Sequence, residues 1–122
     1  MRIVMVACLL LLGGSGYLFY LYGEQSVRVA AAHASIEIFE RLKDEACTEP
    51  PGKAVDKLVY IRNYYPSGSR QRAGSRLDEI VEHARRHALR DIILHLQKIA
   101  PRDLGDDPEV WIREYSKSKP AD

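Results

Sequence analysis

Charge is absent from residues 3 to 22 of this 122-residue chain, a run that reads IVMVACLLLLGGSGYLFYLY. All 17 acidic residues and all but one of the 18 basic residues lie beyond it, and the exception is Arg2. The 100 residues from Gly23 onward carry no net charge and suffice for one small domain. Such a balance argues against a general polyanion binder, which is usually clearly basic. It argues equally against an acidic disordered tail. Cysteine is scarce: the two present, Cys8 and Cys47, cannot build a disulfide framework. No Walker loop, G-x-G-x-x-G, G-x-S-x-G or Cys-x-x-Cys occurs. Alternating β-branched runs bounded by turns are also missing, so strands are not expected.

What is present begins with the uncharged run. Twenty mostly apolar residues in a helix reach about 30 Å, the thickness of a bilayer's hydrocarbon core. Ile3 to Tyr22 therefore reads as a transmembrane helix, with Tyr17, Phe19, Tyr20 and Tyr22 as an aromatic belt at its far end. Arg2 and the amino terminus precede the run, while Glu24 and Arg28 follow it. That bias favours a cytoplasmic N-terminus with the remaining chain outside. The rival is a signal peptide cleaved near Gly13-Gly14-Ser15-Gly16, or at the small residues 30–34, which would release a secreted domain. Cleavage near Gly16 would leave the greasy stretch 17–22 at the new terminus. Only seven residues precede Cys8, too few for a lipoprotein signal.

Four helical segments are expected in the remainder. In residues 25–46, Val27, Ala31, Ala34, Ile38, Leu42 and Ala46 recur as one apolar stripe. No proline separates them from the span, so that helix is expected to continue out of the bilayer until Pro50-Pro51 stops it. Residues 53–65 form a short second helix with Ala54, Val55, Leu58, Val59, Ile61 and Tyr65 on its apolar side. A third helix runs to about residue 99, with Leu77, Ile80, Val81, Ala84, Ala88, Ile92 and Ile99 sharing a face and Glu82 paired with Arg86. Its start is placed near residue 68, capped by Ser67 with Gly74 inside; the alternative is a start at Ser75 with Asp78 in a near capping box. Asp106 or Asp107 caps the last helix, Pro108 sits in its first turn, and Val110, Trp111, Ile112 and Tyr115 fold back on the others. Residues 118–122 read as a frayed tail.

Several side-chain groups bear on function. His83, His87, Asp91 and His95 are spaced by four along the third helix, and two ligands at that spacing can hold a metal. The metalloprotease version needs a glutamate after its first histidine, where this chain has Ala84. A third ligand would have to be Asp91 or His33. The plainer reading makes His83 and His87 solvated border residues and His95 a hydrogen-bonded, partly buried one. Between Arg62 and Arg90, seven arginines face three acids. Among them Arg70, Arg72 and Arg76, near a helix start, are candidates for a phosphate or lipid headgroup. The plainer reading is a solvated face balanced by the acidic stretch 24–49. Trp111 and Tyr115 read as a core anchor or as a docking patch for a partner. Cys47 reads as a small, partly buried thiol, or as an intermolecular disulfide between two anchored copies.

Two local resemblances add to this. Ala54-x3-Leu58 with Tyr64-Tyr65-Pro66-Ser67-Gly68 resembles the helix–turn–helix junction of tetratricopeptide-type repeats over about 25 residues, without a second copy at that period. Residues 64–78 together with Asp103-Leu-Gly-Asp-Asp-Pro-Glu-Val-Trp-Ile-Arg-Glu-Tyr115 resemble a group of uncharacterised single-span bacterial proteins over about half the chain. The G-x-D-P-x-x-W box at 105–111 also resembles boxes at the ends of helical-repeat proteins in such bacteria. The resemblance implies no activity. It implies that 103–115 is a docking element.

The expected architecture is all-α: a membrane anchor at 1–24, a helical domain of about four helices at 25–117, and a tail at 118–122. The expected role is a membrane-tethered interaction or assembly module without catalysis or cofactor. It would touch the bilayer and a protein partner or second copy, not nucleic acid. The alternative is a metal-binding protein or metal-dependent hydrolase using His83, His87 and Asp91.

Overall fold

The computed structural model describes residues 2–64 and 66–117, with side chains described from Val4 onward. Its elements are α1 (Arg2–Ala46), α2 (Pro51–Asn63), α3 (Arg76–Ile99) and α4 (Pro108–Lys117). No strand occurs among the described residues. An apolar N-terminal helix thus precedes a small helical bundle, as the patterning implies. Tyr65 and the tail 118–122 lie outside the described residues.

The helix α1 is one unbroken element of 45 residues, about 67 Å long. It passes through Gly23 without interruption, so the apolar run and the first bundle helix are a single rod. Thr48 closes its far end: both its N–H and its hydroxyl donate to the Glu45 carbonyl, at 3.0 and 2.8 Å. Pro51 then opens α2 in the first turn, where its missing N–H costs nothing. That places the α2 start two residues before the expected Lys53.

The buried stripe of α1 differs in phase from the expected one. Ala32, Ser35, Phe39, Leu42 and Ala46 are buried, whereas Val27 and Ala34 are exposed. Ser35 hides in the stripe because its hydroxyl donates to the Ala31 carbonyl at 2.9 Å, which satisfies the polar group inside the helix. Val27 is exposed because it lies off the side of α1 that faces the start of α3. Against this stripe pack Ala54, Val55, Leu58 and Ile61 of α2 and Val81, Ala88, Ile92, Ile93 and Leu96 of α3. Each fully buried large aliphatic among them contributes about 1.5–3 kcal/mol relative to exposure. Phe39 meets Tyr64 edge-on, with ring centroids 5.8 Å apart. Ile93 and Leu96 widen the buried face of α3 beyond the expected set, while Ile80 and Ile99 are exposed.

The third helix starts at Arg76, not near residue 68. Ser75 is its N-cap, accepting from the Asp78 N–H at 3.2 Å. Gly74 lies before the helix at φ 70° and Gly68 at φ 83°, conformations that a helix interior excludes. The buried Asp78 carboxylate organises the whole approach. It accepts from the Ser67 hydroxyl, from Gly68 N–H at 3.3 Å and from Gly74 N–H at 3.0 Å. These bonds hold its pKa below the ordinary value, the Ser67 hydroxyl contributing most. Ser67 is thus a ligand of Asp78 and not a cap.

Glu82 pairs with Arg85 rather than Arg86. Arg85 also donates to the Arg62 carbonyl at 3.2 Å, satisfying a backbone acceptor in the last turn of α2. Arg86 reaches the Glu82 backbone carbonyl instead. Lys57 to Glu45 links α2 to α1, and Arg62 grips both Glu109 oxygens at 2.7 and 2.6 Å, linking α2 to α4.

Candidate functional site

The C-terminal box is accounted for by bonds within the chain. Asp107 caps α4 by accepting from Glu109 N–H at 2.9 Å, and Pro108 takes the first helical position. Asp106 accepts from Gln97 Nε2 at 2.9 Å, tying the box to the end of α3. Gly105 stands at φ 82°, and its carbonyl accepts from Trp111 Nε1 at 2.8 Å. Trp111 is fully buried and stacks with Tyr115 at 6.3 Å. The docking patch expected at Trp111 is therefore corrected: its indole is spent on this chain's own core, and Tyr115 is half-buried beside it.

The histidine row does not converge. His83 and His33 are exposed on different helices, and only His87 and Asp91 meet, Nδ1 to Oδ2 at 3.2 Å. His95 is half-buried as expected, but its Nε2 is buried without a hydrogen-bond partner. Among the described residues no group of three or more His, Cys, Asp or Glu side chains is placed to hold a metal. A catalytic zinc takes three protein ligands, and this helix face offers a pair.

The arginines divide. Arg72 and Arg76 line a groove of about 740 Å³ between the start of α3, the loop before it and residues 21–29 of α1. Arg70 does not line it. From α1 come Leu21, Glu24, Gln25, Arg28 and Val29, with Glu24 and Arg28 ion-paired one turn apart. Gln71 forms part of the wall, 7% exposed, and its amide Nε2 has no hydrogen-bond partner. Sequence reading found Arg72 and Arg76 by their clustering. It missed Gln71, Glu24 and Arg28, because only the docking of a loop on a helix some fifty residues earlier in the chain brings them together.

Cys47 is half-buried at the end of α1, and burial pushes its thiol pKa up, with the Asp91 and Asp44 charges adding to the effect. The nucleophilic thiolate is correspondingly scarce at neutral pH.

The remaining distinctive surface is the apolar half of α1. It is long and apolar enough to cross a membrane, and the chain buries none of that window. No known family, curated protein or solved structure matches this chain.

Proposed function

We propose that the protein is a single-span membrane protein that holds a small helical bundle at the membrane surface as a non-enzymatic interaction or assembly module. The observation that carries the reading is the continuity of α1: an apolar half covered by nothing in the chain runs without a joint into the core stripe headed by Ala32 and Ser35. Large exposed residues such as Leu10, Leu11 and Phe19 would cost heavily in water and nothing in lipid. A rod without a joint fixes the bundle's height and tilt relative to the bilayer, which suits a tether that presents a surface. In this reading the bundle lies outside and Arg2 lies on the cytoplasmic side, because Arg2 and the amino terminus precede the span while Glu24 and Arg28 follow it.

Fractionation of the tagged full-length chain, with mass spectrometry of its N-terminus and of cross-linked neighbours, tests this. An uncleaved chain in the membrane fraction, resisting carbonate extraction, supports the anchor. A chain processed near Gly16 or beyond Ala30 and recovered in the soluble fraction overturns it in favour of a secreted helical module.

A further inference from the structure

We infer that the groove between α1 and the start of α3 is a binding site for the phosphate headgroup of an anionic phospholipid; this rests on the membrane-anchor reading. Three observations bear on it independently. The first is height. Glu24 lies two residues beyond Tyr22 and Arg28 six, so about 3 to 9 Å of helix rise separates them from the end of the apolar run. The headgroup layer of a bilayer is about 5–8 Å thick on each side, so the groove opens within it. Leu21, which lines the groove, is the least exposed of the large hydrophobics described in the run, at 42%.

The second is chemistry. Arg28, Arg72 and Arg76 face one another across the groove against the single carboxylate of Glu24. Arginine forks match phosphate oxygens, and the first-turn amides of α3 add a positive dipole behind Arg76. Leu77 and Ile80 supply apolar wall beside the cations, as a glycerol backbone and the top of an acyl chain require. The third is Gln71, more than nine-tenths buried in the same wall with an unpartnered Nε2 donor. A buried donor without an acceptor is costly, and because Gln71 lines the groove, a phosphate oxygen that draws Nε2 out to the groove face relieves that cost.

Native mass spectrometry of the full-length chain released from detergent micelles tests the site, with phosphatidylglycerol, phosphatidylcholine and inorganic phosphate as probes. One phosphatidylglycerol retained per chain, in preference to phosphatidylcholine, is the expected result. Each arginine near an anionic surface is worth about a fivefold factor, so Arg72→Gln with Arg76→Gln lowers retention about thirtyfold. Glu24→Gln, which removes the only acid, raises it about two- to fivefold. Arg113→Gln, outside the groove, leaves it unchanged. Equal retention by the double variant overturns the site, as does equal retention of phosphatidylcholine. Displacement of lipid by millimolar inorganic phosphate would reassign the groove to a soluble phosphate ligand. A chain that needs no detergent would instead sink the anchor reading, whereas a membrane-bound chain that keeps no lipid sinks the groove alone.

Discussion

The indole N–H of Trp111 donates to the carbonyl of Gly105 at 2.8 Å, so the residue that plugs the bundle also locks the loop that delivers it. Gly105 reaches that position at φ 82°, and the Asp103 carboxylate accepts its N–H at 2.8 Å. Trp111→Ala is expected to cost about 3–5 kcal/mol, from a large side chain lost in the core. Trp111→Phe keeps an aromatic ring and loses the hydrogen bond, and should cost about 1–2 kcal/mol. Because Trp111 is the only tryptophan, circular dichroism in denaturant is the suitable readout. Equal stability of the alanine variant and the parent would show that α4 does not close the core.

Asp78 carries a pH signature. Its carboxyl titrates below the ordinary value of 3.8 because the folded loop donates to it, the Ser67 hydroxyl foremost. A carboxylate with a depressed folded pKa adds stability that is complete above its unfolded pKa and is lost as pH falls through the folded one. Stability should therefore fall as pH drops below the ordinary value of 3.8 and through the lower folded pKa, in part through this group. Asp78→Asn should lower stability near neutral pH by about 1–2 kcal/mol and flatten the acid limb. Denaturant melts across that range decide it: an unchanged acid limb in the variant would remove Asp78 as its cause.

Two glycines near this carboxylate should respond unequally to alanine. At Gly74, φ 70°, a Cβ meets nothing within 4 Å, so Gly74→Ala carries backbone strain alone, about 1–2 kcal/mol. At Gly68, φ 83°, the added Cβ would stand 3.2 Å from the Ala73 Cβ, so Gly68→Ala pays a steric cost as well. The expected order is Gly68→Ala less stable than Gly74→Ala, and both below the parent, by thermal melting. The reverse order would contradict the loop geometry.

These glycines also mark where the sequence was hard to read. Helix existence followed from apolar spacing and from Pro50, Pro51, Pro66, Pro101 and Pro108. The start of α3 did not, because Ser67 and Ser75 both look like caps; what separates them is Asp78, whose carboxylate reaches back to Ser67 and whose N–H meets Ser75. The α1 stripe was misphased for a similar reason. Ser35 counts as polar in any periodicity and is nevertheless 1% exposed, while Val27 counts as apolar and faces no helix. Glu82 had an arginine at both three and four residues, and the one that also reaches the Arg62 carbonyl won it. The groove was legible only as an arginine cluster. Its other wall belongs to α1, and local patterning carries no information about that pairing.

Zinc should not bind the helix face at His83, His87 and Asp91 in stoichiometric amount. His87 and Asp91 make one pair, and His83 and His95 do not join it. Metal analysis of the full-length chain purified without chelator is expected to show well under one zinc per chain, unchanged in His87→Ala. One zinc per chain, lost in that variant, would revive the metal-dependent alternative.

Orientation can be read with thiols placed by the fold. Cys8 lies five residues into the apolar run and, in a bilayer, is shielded by lipid. Cys47 is half-buried with a raised pKa and reacts slowly even where reagent reaches it. Thr48, next to it, is exposed just past the end of α1. In a Cys47→Ala background, Thr48→Cys therefore reports the bundle's compartment with little interference from the native thiols. Thr48 closes the helix end through its hydroxyl, and losing that bond should cost about 1 kcal/mol, too little to unseat the bundle. A membrane-impermeant maleimide should label this variant in intact cells, to the same extent as after lysis. Labelling that appears only after lysis would place the bundle in the cytoplasm, and Arg2 would then have lost to the stretch 24–49 in setting topology. The charge rule makes that reversal informative: a cytoplasmic bundle would mean that Arg28, Arg41 and Lys43, the three basic residues within 24–49, outweigh Arg2 and the amino terminus in setting the orientation.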